Sequence, residues 1–277
     1  MDLNAIKDIR EKFATRGYGT IHAEEAIFIR SLIEEHRPTN FLELGTASGL
    51  SSGYICAFME EFGGESFTTA DFSDTFFGDH SKEIGFLMHE GYKGGNLQIA
   101  KRPFTISLDI YDEGRSYDMM FVDANHMHPW PTIDTAVLLP RLGRSRIMIH
   151  HDYLLFALQK QVKGIGPKYL YDQFAPEHRH LAHNSGGNIF YLRASEEVSE
   201  HSKSLAESFL LPWSINDDPF SPNVKNAVFN GLKDRFEAIL SRHYDKVVLE
   251  AFQEGYARHT ERLANRQQLI RMVRTVV

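Results

Sequence analysis

The sequence predicts an α/β fold: a three-layer sandwich with a mostly parallel seven-stranded sheet, an antiparallel terminal strand and a helical C-terminal extension. Two observations carry this prediction. Short apolar segments alternate with segments of helical periodicity, a pattern typical of a parallel sheet covered on both faces. Near residue 180 two strand-like segments flank a Ser-Gly-Gly turn, which indicates a closing hairpin.

Each predicted element follows from a local pattern along the chain. Two helices are expected first, over residues 3–15 and 22–35, because apolar residues recur there at helical spacing. Five strands are expected next, in the segments FLELG, SFTTAD, NLQIA, YDMMFVDA and SRIMIHHD. Helices fit between them at GLSSGYICAFMEEF, SKEIGFLMHEG and PWPTIDTAVLLPRLG, and HLAHN and NIFYLRA form the hairpin.

The pattern changes at about residue 194 and divides the chain into two predicted parts. Residues 1–194 form the α/β domain with its N-terminal helices. Residues 195–277 lack a strand pattern and contain two long helical patterns, at 224–242 and 246–273. Amphipathic helices of this kind favour packing or oligomerisation, so a homo-oligomer through the C-terminal helices is one expectation. A lid over a substrate is the alternative.

Composition and charge exclude several classes of protein. The chain has 277 residues and a net charge of −7, so electrostatic binding to nucleic acid or to an anionic membrane over a broad surface is not expected. Its single cysteine, Cys56, excludes an internal disulfide framework and fits a reducing cytoplasm. The first residues are charged and lack a signal-peptide run, and no segment reaches the length of a membrane span. We therefore expect a cytoplasmic protein with a small-molecule partner.

Glycines interrupt the turn after the first strand, in the stretch TNFLELGTASGLSSGY. Gly45 and Gly49 would let a small ligand approach the main chain closely. A dinucleotide-binding turn would carry a glycine where Ala47 stands, and no Gly-Lys-Ser/Thr of a phosphate-binding loop follows. Glu43, just before the turn, is an acceptor for a positive or amine-bearing group. The pattern predicts a ligand that is not held through a diphosphate.

The stretch FLELGTASGLSS resembles the first motif of class I S-adenosylmethionine-dependent methyltransferases, E-x-G-x-x-x-G. The resemblance implies a Rossmann-like fold and S-adenosylmethionine as the cofactor. In that family the acid that ends the next strand holds the ribose hydroxyls, and a carboxylate can accept both hydrogen bonds of a cis-diol. The residues that the resemblance assigns to cofactor binding are Glu43, Gly45, Thr46, Gly49, Ser51 and Asp71.

Acids and histidines follow the fourth and fifth predicted strands. Asp123 lies at the end of the fourth strand, and His151 and Asp152 lie at the end of the fifth. Because the carboxyl ends of adjacent parallel strands meet at one edge of a sheet, we expect these groups on one rim beside the methyl donor. Carboxylates and imidazoles that converge there can hold a divalent metal.

This second set resembles the metal-dependent O-methyltransferases, both the catechol type and the bacterial branch that acts on sugars and antibiotics. The resemblance covers roughly residues 20–194 and does not extend through the helical tail. It implies Asp123, His151 and Asp152 as metal ligands, and His126 with Asp123 as catalytic residues, His126 being the general base. Position 151 departs from the family, which usually has Asp or Glu there. Because imidazole favours transition metals, we expect manganese, iron, zinc or a similar ion in preference to magnesium.

The expected function is S-adenosylmethionine-dependent O-methylation of a small polar acceptor, a sugar or a secondary metabolite, with a divalent metal assisting. A transferase in which His126 or His151 acts as a base without metal is a close variant. One alternative is an enzyme of the same fold that carries out metal-centred oxygenation, since two histidines and a carboxylate would suit that chemistry. Another is a non-catalytic binding or scaffold protein.

Overall fold

A computed structural model of the protein describes residues 1–13, 18, 21–158, 162–183, 186–220 and 231–276. The helices are α1 Leu3–Glu11, α2 Ala23–His36, α3 Leu50–Glu61, α4 Met88–Gly91, α5 Ser107–Asp112, α6 Trp130–Leu138, α7 Leu155–Leu158, α8 Gly166–Gln173, α9 Ser202–Phe209, α10 Leu232–His243 and α11 Lys246–Val276. The strands are β1 Asn40–Leu44, β2 Ser66–Ala70, β3 Thr75–Phe76, β4 Asp79–Glu83, β5 Gln98–Arg102, β6 Tyr117–Val122, β7 Leu142–His150, β8 Arg179–Leu181 and β9 Phe190–Arg193.

Seven of these strands form one sheet, in the order β5-β2-β1-β6-β7-β9-β8. β5, β2, β1, β6 and β7 are parallel, whereas β9 runs antiparallel to both β7 and β8. The predicted fold class is confirmed, including the closing hairpin. The first residue of its Ser-Gly-Gly turn lies outside the described residues. The strand order reverses between β1 and β6, where ligands bind in sheets of this type.

The register of the sheet brings four strand ends level with one another. Leu44 pairs with Ala70 on one side and with Val122 on the other, and Val122 pairs with His150. Each of these residues is the last of its strand, so the next residue of each strand leaves the sheet at the same edge. The residues in that row are Gly45, Asp71, Asp123 and His151.

The helix predicted over residues 81–91 is wrong in its first half. Residues Asp79–Glu83 form β4, which pairs with β3 as a hairpin, and only Met88–Gly91 are helical. Gly85 has a φ of +73°, which an α-helix does not allow. Its N–H donates to the Ala47 carbonyl at 2.9 Å, so this segment is hydrogen-bonded to the glycine turn. The short helices α5 and α8 were not predicted. The helix predicted at 224–242 corresponds to α10, which begins at Leu232. Residues 224–230 of that prediction lie outside the described residues.

Apolar side chains of the central strands alternate between the two faces of the sheet, as the period of a strand requires. Phe41, Phe67 and Phe121 belong to the buried cluster that includes residues of α2 and α3. Leu42 and Met120 belong to the cluster on the other face, with α5 and α6. The C-terminal helices and the segment that follows α9 join this second cluster through Leu205, Phe209, Trp213, Phe236 and Phe252.

The helices of residues 195–277 therefore pack on the α/β domain through a buried apolar face. The boundary at 194/195 stays a prediction, because the two parts share one hydrophobic cluster. Within the described part of the chain, no helix has both the length and the apolar run that crossing a bilayer requires.

Candidate active site

The glycine turn between β1 and α3 lies directly against the end of β6. Gly45 has a φ of +103°, and a Cβ atom placed on it would lie 2.0 Å from the carbonyl oxygen of Asp123. Gly49 has a φ of +81°, and its Cβ would lie 2.4 Å from the Cα of Gly85. Both positions therefore require glycine for conformation and for space. The turn is a main-chain surface at the point where the strand order reverses.

Glu43 is buried beneath this turn and accepts three hydroxyl hydrogen bonds. Ser51 Oγ donates at 2.7 Å and Thr69 Oγ1 at 2.6 Å, and Ser52 Oγ is the third donor. Burial raises the pKa of Glu43 to about 7, although these three hydroxyls oppose the shift. Thr46 Oγ1 lies 2.7 Å from Thr69 Oγ1 and extends the network into the turn. Through these hydrogen bonds, Glu43 stabilises the shape of the turn.

Asp71 faces the same turn from the end of β2. Its Oδ2 accepts from the Ala47 N–H at 3.0 Å and its Oδ1 accepts from the Ser73 N–H at 3.1 Å. Two exposed aromatic residues flank it: Phe72 follows it directly, and Phe104 precedes Thr105, whose N–H donates to the Asp71 carbonyl at 2.9 Å. Phe72 is 64% exposed and Phe104 is 48% exposed, which is unusual for side chains of this size. Sequence reasoning did not single out either ring.

Asp123, His126 and Asp152 converge on the other side of the turn. His126 Nε2 lies 3.1 Å from Asp123 Oδ1 and 3.2 Å from Asp152 Oδ2. One potential ligand atom from each of the three residues lies within 4.8 Å of the others. The three side chains are 18–24% exposed, so water and small ligands can reach them. The donor set of two carboxylates and an imidazole fits a divalent cation.

The charges in this cluster stabilise one another. Burial disfavours ionisation of Asp123, but the charge of His151 and the hydrogen bond from His126 overcome it and hold the pKa of Asp123 well below its usual value. Burial likewise opposes a charged His126, and Asp123 with Asp152 raises the pKa of His126 above its ordinary value. The two carboxylates and the imidazole therefore lie close enough to influence one another's ionisation.

His151 lies beside the cluster and is held from both sides. Its Nδ1 faces Asp123 Oδ1 at 3.3 Å and Asp152 Oδ1 at 3.4 Å, and its Nε2 lies 3.1 Å from Glu25 Oε2. Burial opposes the imidazolium, but Asp123, Glu25 and Asp152 raise the pKa of His151 well above its ordinary value. Both ring nitrogens are therefore engaged by carboxylates. The assignment of His151 as a metal ligand stays a prediction.

Two residues of this site were missed by sequence reasoning. Glu25 comes from the first turn of α2 and Asn188 from the loop before β9. The amide of Asn188 donates to Glu25 Oε1 at 3.2 Å and to Asp152 Oδ1 at 3.1 Å. The only local signal was the position of Glu25 three residues after His22, at the start of a helix, which is a pattern of helix capping rather than of catalysis.

The neighbouring histidines lie in packed surroundings. Because successive strand residues point to opposite faces, the sequence predicts that His150 points into the packing. It is buried, stacks on Phe190 with ring centroids 5.1 Å apart and lies 3.3 Å from Thr135 Oγ1, so that expectation is confirmed. His128 is fully buried and meets the ring of Tyr169 edge-on, so it lies away from the open cluster.

Comparison with known proteins relates part of the chain to methyltransferases. A family model described as a methyltransferase domain matches residues 42–153, the stretch that holds the glycine turn, Asp71, Asp123 and Asp152. No protein of curated function matches the chain. Residues 42–153 are therefore similar to a methyltransferase domain, in agreement with the class that the sequence predicts.

Among similar solved structures, the first supports the fold. A candidate caffeoyl-CoA O-methyltransferase from Staphylococcus aureus superposes with a TM-score of 0.52, at 17% identity over 70% of this chain and 100% of that chain. An O-methyltransferase from Bacillus cereus in complex with SAH gives a TM-score of 0.48, at 15% identity over 70% and 91% of the two chains. TomG from Streptomyces achromogenes, an O-methyltransferase in complex with SAM, gives 0.48 at 15% identity over 70% and 89%.

Proposed function

We propose that the protein is an S-adenosylmethionine-dependent O-methyltransferase in which a divalent cation assists transfer to a hydroxyl of a small polar acceptor. The observation that carries this proposal is the convergence of Asp123, His126 and Asp152 beside the glycine turn, with ligand atoms within 4.8 Å of one another. A methyl donor on the turn and a hydroxyl on the cluster would be neighbours at one edge of the sheet. Carbon or main-chain nitrogen acceptors would not need such a cluster.

The donor is proposed to lie along the glycine turn and across the end of β2. Gly45, Thr46 and Gly49 would line its methionine part, with Glu43 and Ser51 shaping the turn beneath it. Asp71 would accept from the ribose hydroxyls, since its two oxygens have lone pairs beyond those used by Ala47 and Ser73. The exposed rings of Phe72 and Phe104 would flank the adenine.

We expect Asp71→Ala to weaken S-adenosylmethionine binding by about 10-fold to 100-fold, because a hydrogen bond to a charged acceptor contributes about 1.5–3 kcal/mol. The affinity for Mn²⁺ should not change, since the Asp71 carboxylate accepts from the N–H groups of Ala47 and Ser73, which are not part of the acidic cluster. Calorimetric titration of both ligands checks this. Asp74→Ala, a neighbouring acid in the same loop, is the matched control. Equal S-adenosylmethionine affinity in Asp71→Ala and the parent would overturn the ribose assignment.

The cation is proposed to be held by the carboxylates of Asp123 and Asp152, with His126 on the more exposed side as the general base. His151 would orient the two carboxylates, because its nitrogens already face Asp123, Asp152 and Glu25. Under this proposal the reason for preferring a transition ion, ligation by His151, no longer applies. A two-carboxylate site suits Mg²⁺ and Mn²⁺ alike.

When bound, S-adenosylmethionine supplies an electrophilic methyl group and the cation polarises the acceptor hydroxyl. The residues of the chain then do three things. Asp123 and Asp152 fix the position of the acceptor oxygen relative to the turn, which contributes through orientation. His126 would take the hydroxyl proton at Nε2 as the oxygen attacks the methyl carbon and the carbon–sulfur bond breaks, with S-adenosylhomocysteine as the leaving group. Main-chain packing of Gly45 against Asp123 keeps the donor surface and the acidic cluster at a fixed separation.

Removal of metal should stop the reaction. We expect EDTA to abolish release of S-adenosylhomocysteine in the presence of an accepted substrate, and either Mg²⁺ or Mn²⁺ to restore it, because polarisation by a cation lowers the barrier by several kcal/mol. The measurement is S-adenosylhomocysteine release with a panel of catechols and sugar hydroxyl acceptors. Full turnover in EDTA would show that His126 or His151 acts without metal.

Other properties of the protein belong to the same proposal. The acceptor is proposed to be a sugar or a secondary metabolite, and a cytoplasmic location is supported by a single buried free cysteine. Assembly into a homo-oligomer through the C-terminal helices stays a prediction. Metal-centred oxygenation called for two histidines with a carboxylate, and among the described residues Glu25 holds Nε2 of one of those histidines, His151.

The first test is calorimetric titration of the full chain with S-adenosylmethionine, in EDTA and again with Mg²⁺ or Mn²⁺. We expect binding in the micromolar range under each condition. Absence of binding under all conditions would overturn the assignment of the glycine turn and of Asp71.

A further inference from the structure

Glu25 is a buried carboxylate that reaches the acidic cluster from outside the matched methyltransferase domain. It lies in the first turn of α2 and is 0% exposed. It accepts from the His22 N–H, from the Asn188 amide at 3.2 Å and from His151 Nε2 at 3.1 Å. A buried carboxylate is costly unless its oxygens are hydrogen-bonded, so these three donors account for its presence. Two of these three donors, His151 and Asn188, belong to the rim of the site.

Asn188 links Glu25 to the loop that carries Asp152. Its Nδ2 lies 3.2 Å from Glu25 Oε1 and 3.1 Å from Asp152 Oδ1. Its Oδ1 accepts from the Leu154 N–H at 2.9 Å, and its main-chain carbonyl accepts from the Tyr153 N–H at 3.0 Å. Asp152 itself has a φ of +63°, a conformation that a residue with a side chain adopts only when its surroundings hold it there. Asn188 provides those surroundings.

We propose that Glu25 and Asn188 are positioning residues that hold the His151 ring and the Asp152 carboxylate in the orientation the cation site needs. This inference rests on the metal-assisted function proposed above. Because a carboxylate only accepts hydrogen bonds, Glu25 holds the Nε2–H of His151 and so directs Nδ1 toward Asp123 and Asp152. Partners that orient metal-binding side chains typically change metal affinity about 10-fold to 100-fold when they are removed.

The proposal also explains why an N-terminal helix belongs to the site. Glu25 and His151 are 126 residues apart in the sequence, and Asn188 and Asp152 are 36 apart. Residues on both flanks of the matched domain, at 25 and 188, therefore meet the strand ends at 123 and 152. The cation site is complete only when α2 and the loop before β9 are docked.

The test compares Glu25→Ala, Glu25→Gln and Asn188→Ala in the full chain. The probe is Mn²⁺ alone, and its dissociation constant is measured from the electron paramagnetic resonance signal of the free ion. We expect about 10-fold to 100-fold weaker Mn²⁺ binding in Glu25→Ala and Asn188→Ala. We expect a smaller loss in Glu25→Gln, which keeps an oxygen acceptor for His151. S-Adenosylmethionine affinity should not change, because the glycine turn and Asp71 are untouched.

Glu24→Gln is the matched control, since Glu24 is an exposed neighbour in the same helical turn and pairs with Lys7 at 3.1 Å. It should bind Mn²⁺ as the parent does. Melting temperatures of all variants establish that they fold, and Glu25→Gln keeps the test decisive if Glu25→Ala does not. Unchanged Mn²⁺ affinity in folded Glu25 and Asn188 variants would overturn the inference.

A second measurement separates this inference from the proposed function. Nuclear magnetic resonance of the ¹⁵N-labelled, metal-free protein should show a slowly exchanging His151 Nε2 proton, assigned with His151→Gln. That signal should be lost in Glu25→Ala and kept in Glu24→Gln. If the parent binds no Mn²⁺, the metal-assisted function fails while this signal still reports whether Glu25 holds the ring. A His151 ring proton that exchanges equally fast in the parent and in Glu25→Ala would overturn the positioning role.

Discussion

Asp123→Ala is expected to lose methyl transfer and Mn²⁺ binding together. Asp123 supplies one of the two proposed metal-binding carboxylates, and its Oδ1 also faces His126 at 3.1 Å and His151 at 3.3 Å. Loss of the cation removes several kcal/mol of stabilisation from the reaction, which corresponds to a rate lower by about 10³-fold or more. The measurements are S-adenosylhomocysteine release and the Mn²⁺ dissociation constant. Binding of S-adenosylmethionine to the glycine turn should persist.

Two further variants make that result interpretable. Asp123→Asn keeps the shape of the side chain and one oxygen, so it should fold as the parent does and still lose most of its Mn²⁺ affinity. Asp112→Ala removes an exposed carboxylate of α5 that pairs with Arg235 at 2.6 Å, and it should leave activity and metal binding intact. Full activity in folded Asp123→Ala would exclude the metal mechanism.

His126→Gln is expected to lower kcat by about 10²-fold to 10⁴-fold, the usual contribution of a positioned general base. The KM for S-adenosylmethionine and the Mn²⁺ dissociation constant should stay close to those of the parent. His126 Nε2 lies within 3.2 Å of both carboxylates, and its side chain is the most exposed of the three. Steady-state kinetics and Mn²⁺ titration measure the two effects separately.

The control for this variant is His89→Gln, which changes an exposed histidine that faces Glu90 at 3.2 Å in α4. It should behave as the parent in both measurements. Loss of Mn²⁺ binding in His126→Gln would make His126 a metal ligand and contradict its assignment as the base. An unchanged kcat would remove His126 from the mechanism altogether.

The sequence predicts the row of strand ends well, for a physical reason. Parallel strands buried on both faces are continuous apolar segments, so the first glycine or acid after each one marks the edge of the sheet. Gly45, Asp71 and Asp123 could be placed in this way, and the register confirms that their strands end level. The alternation of faces also placed His150 in the packing and His151 at the rim.

Other parts of the site could not be predicted, because they depend on contacts between distant segments. Part of β4 was predicted as the start of a helix, and the course of the chain there is set by Gly85 lying against Gly49, two positions 36 residues apart. Glu25 stands in a helix-capping position, and nothing in its spacing connects it to His151 or Asn188. Whether His151 binds the metal or orients the carboxylates that bind it likewise depends on which side chains face its two ring nitrogens.

The proximity of the methyl donor to the acidic cluster is the central claim, and one measurement tests it without knowledge of the acceptor. S-Adenosylmethionine labelled with ¹³C in its methyl group is bound to the full chain, and its methyl resonance is followed as Mn²⁺ is added. Because Mn²⁺ is paramagnetic and its proposed ligands stand beside the glycine turn, we predict that the bound methyl signal broadens beyond detection and returns with EDTA. A bound methyl signal that Mn²⁺ leaves unchanged would contradict a metal-assisted transfer at Asp123 and Asp152.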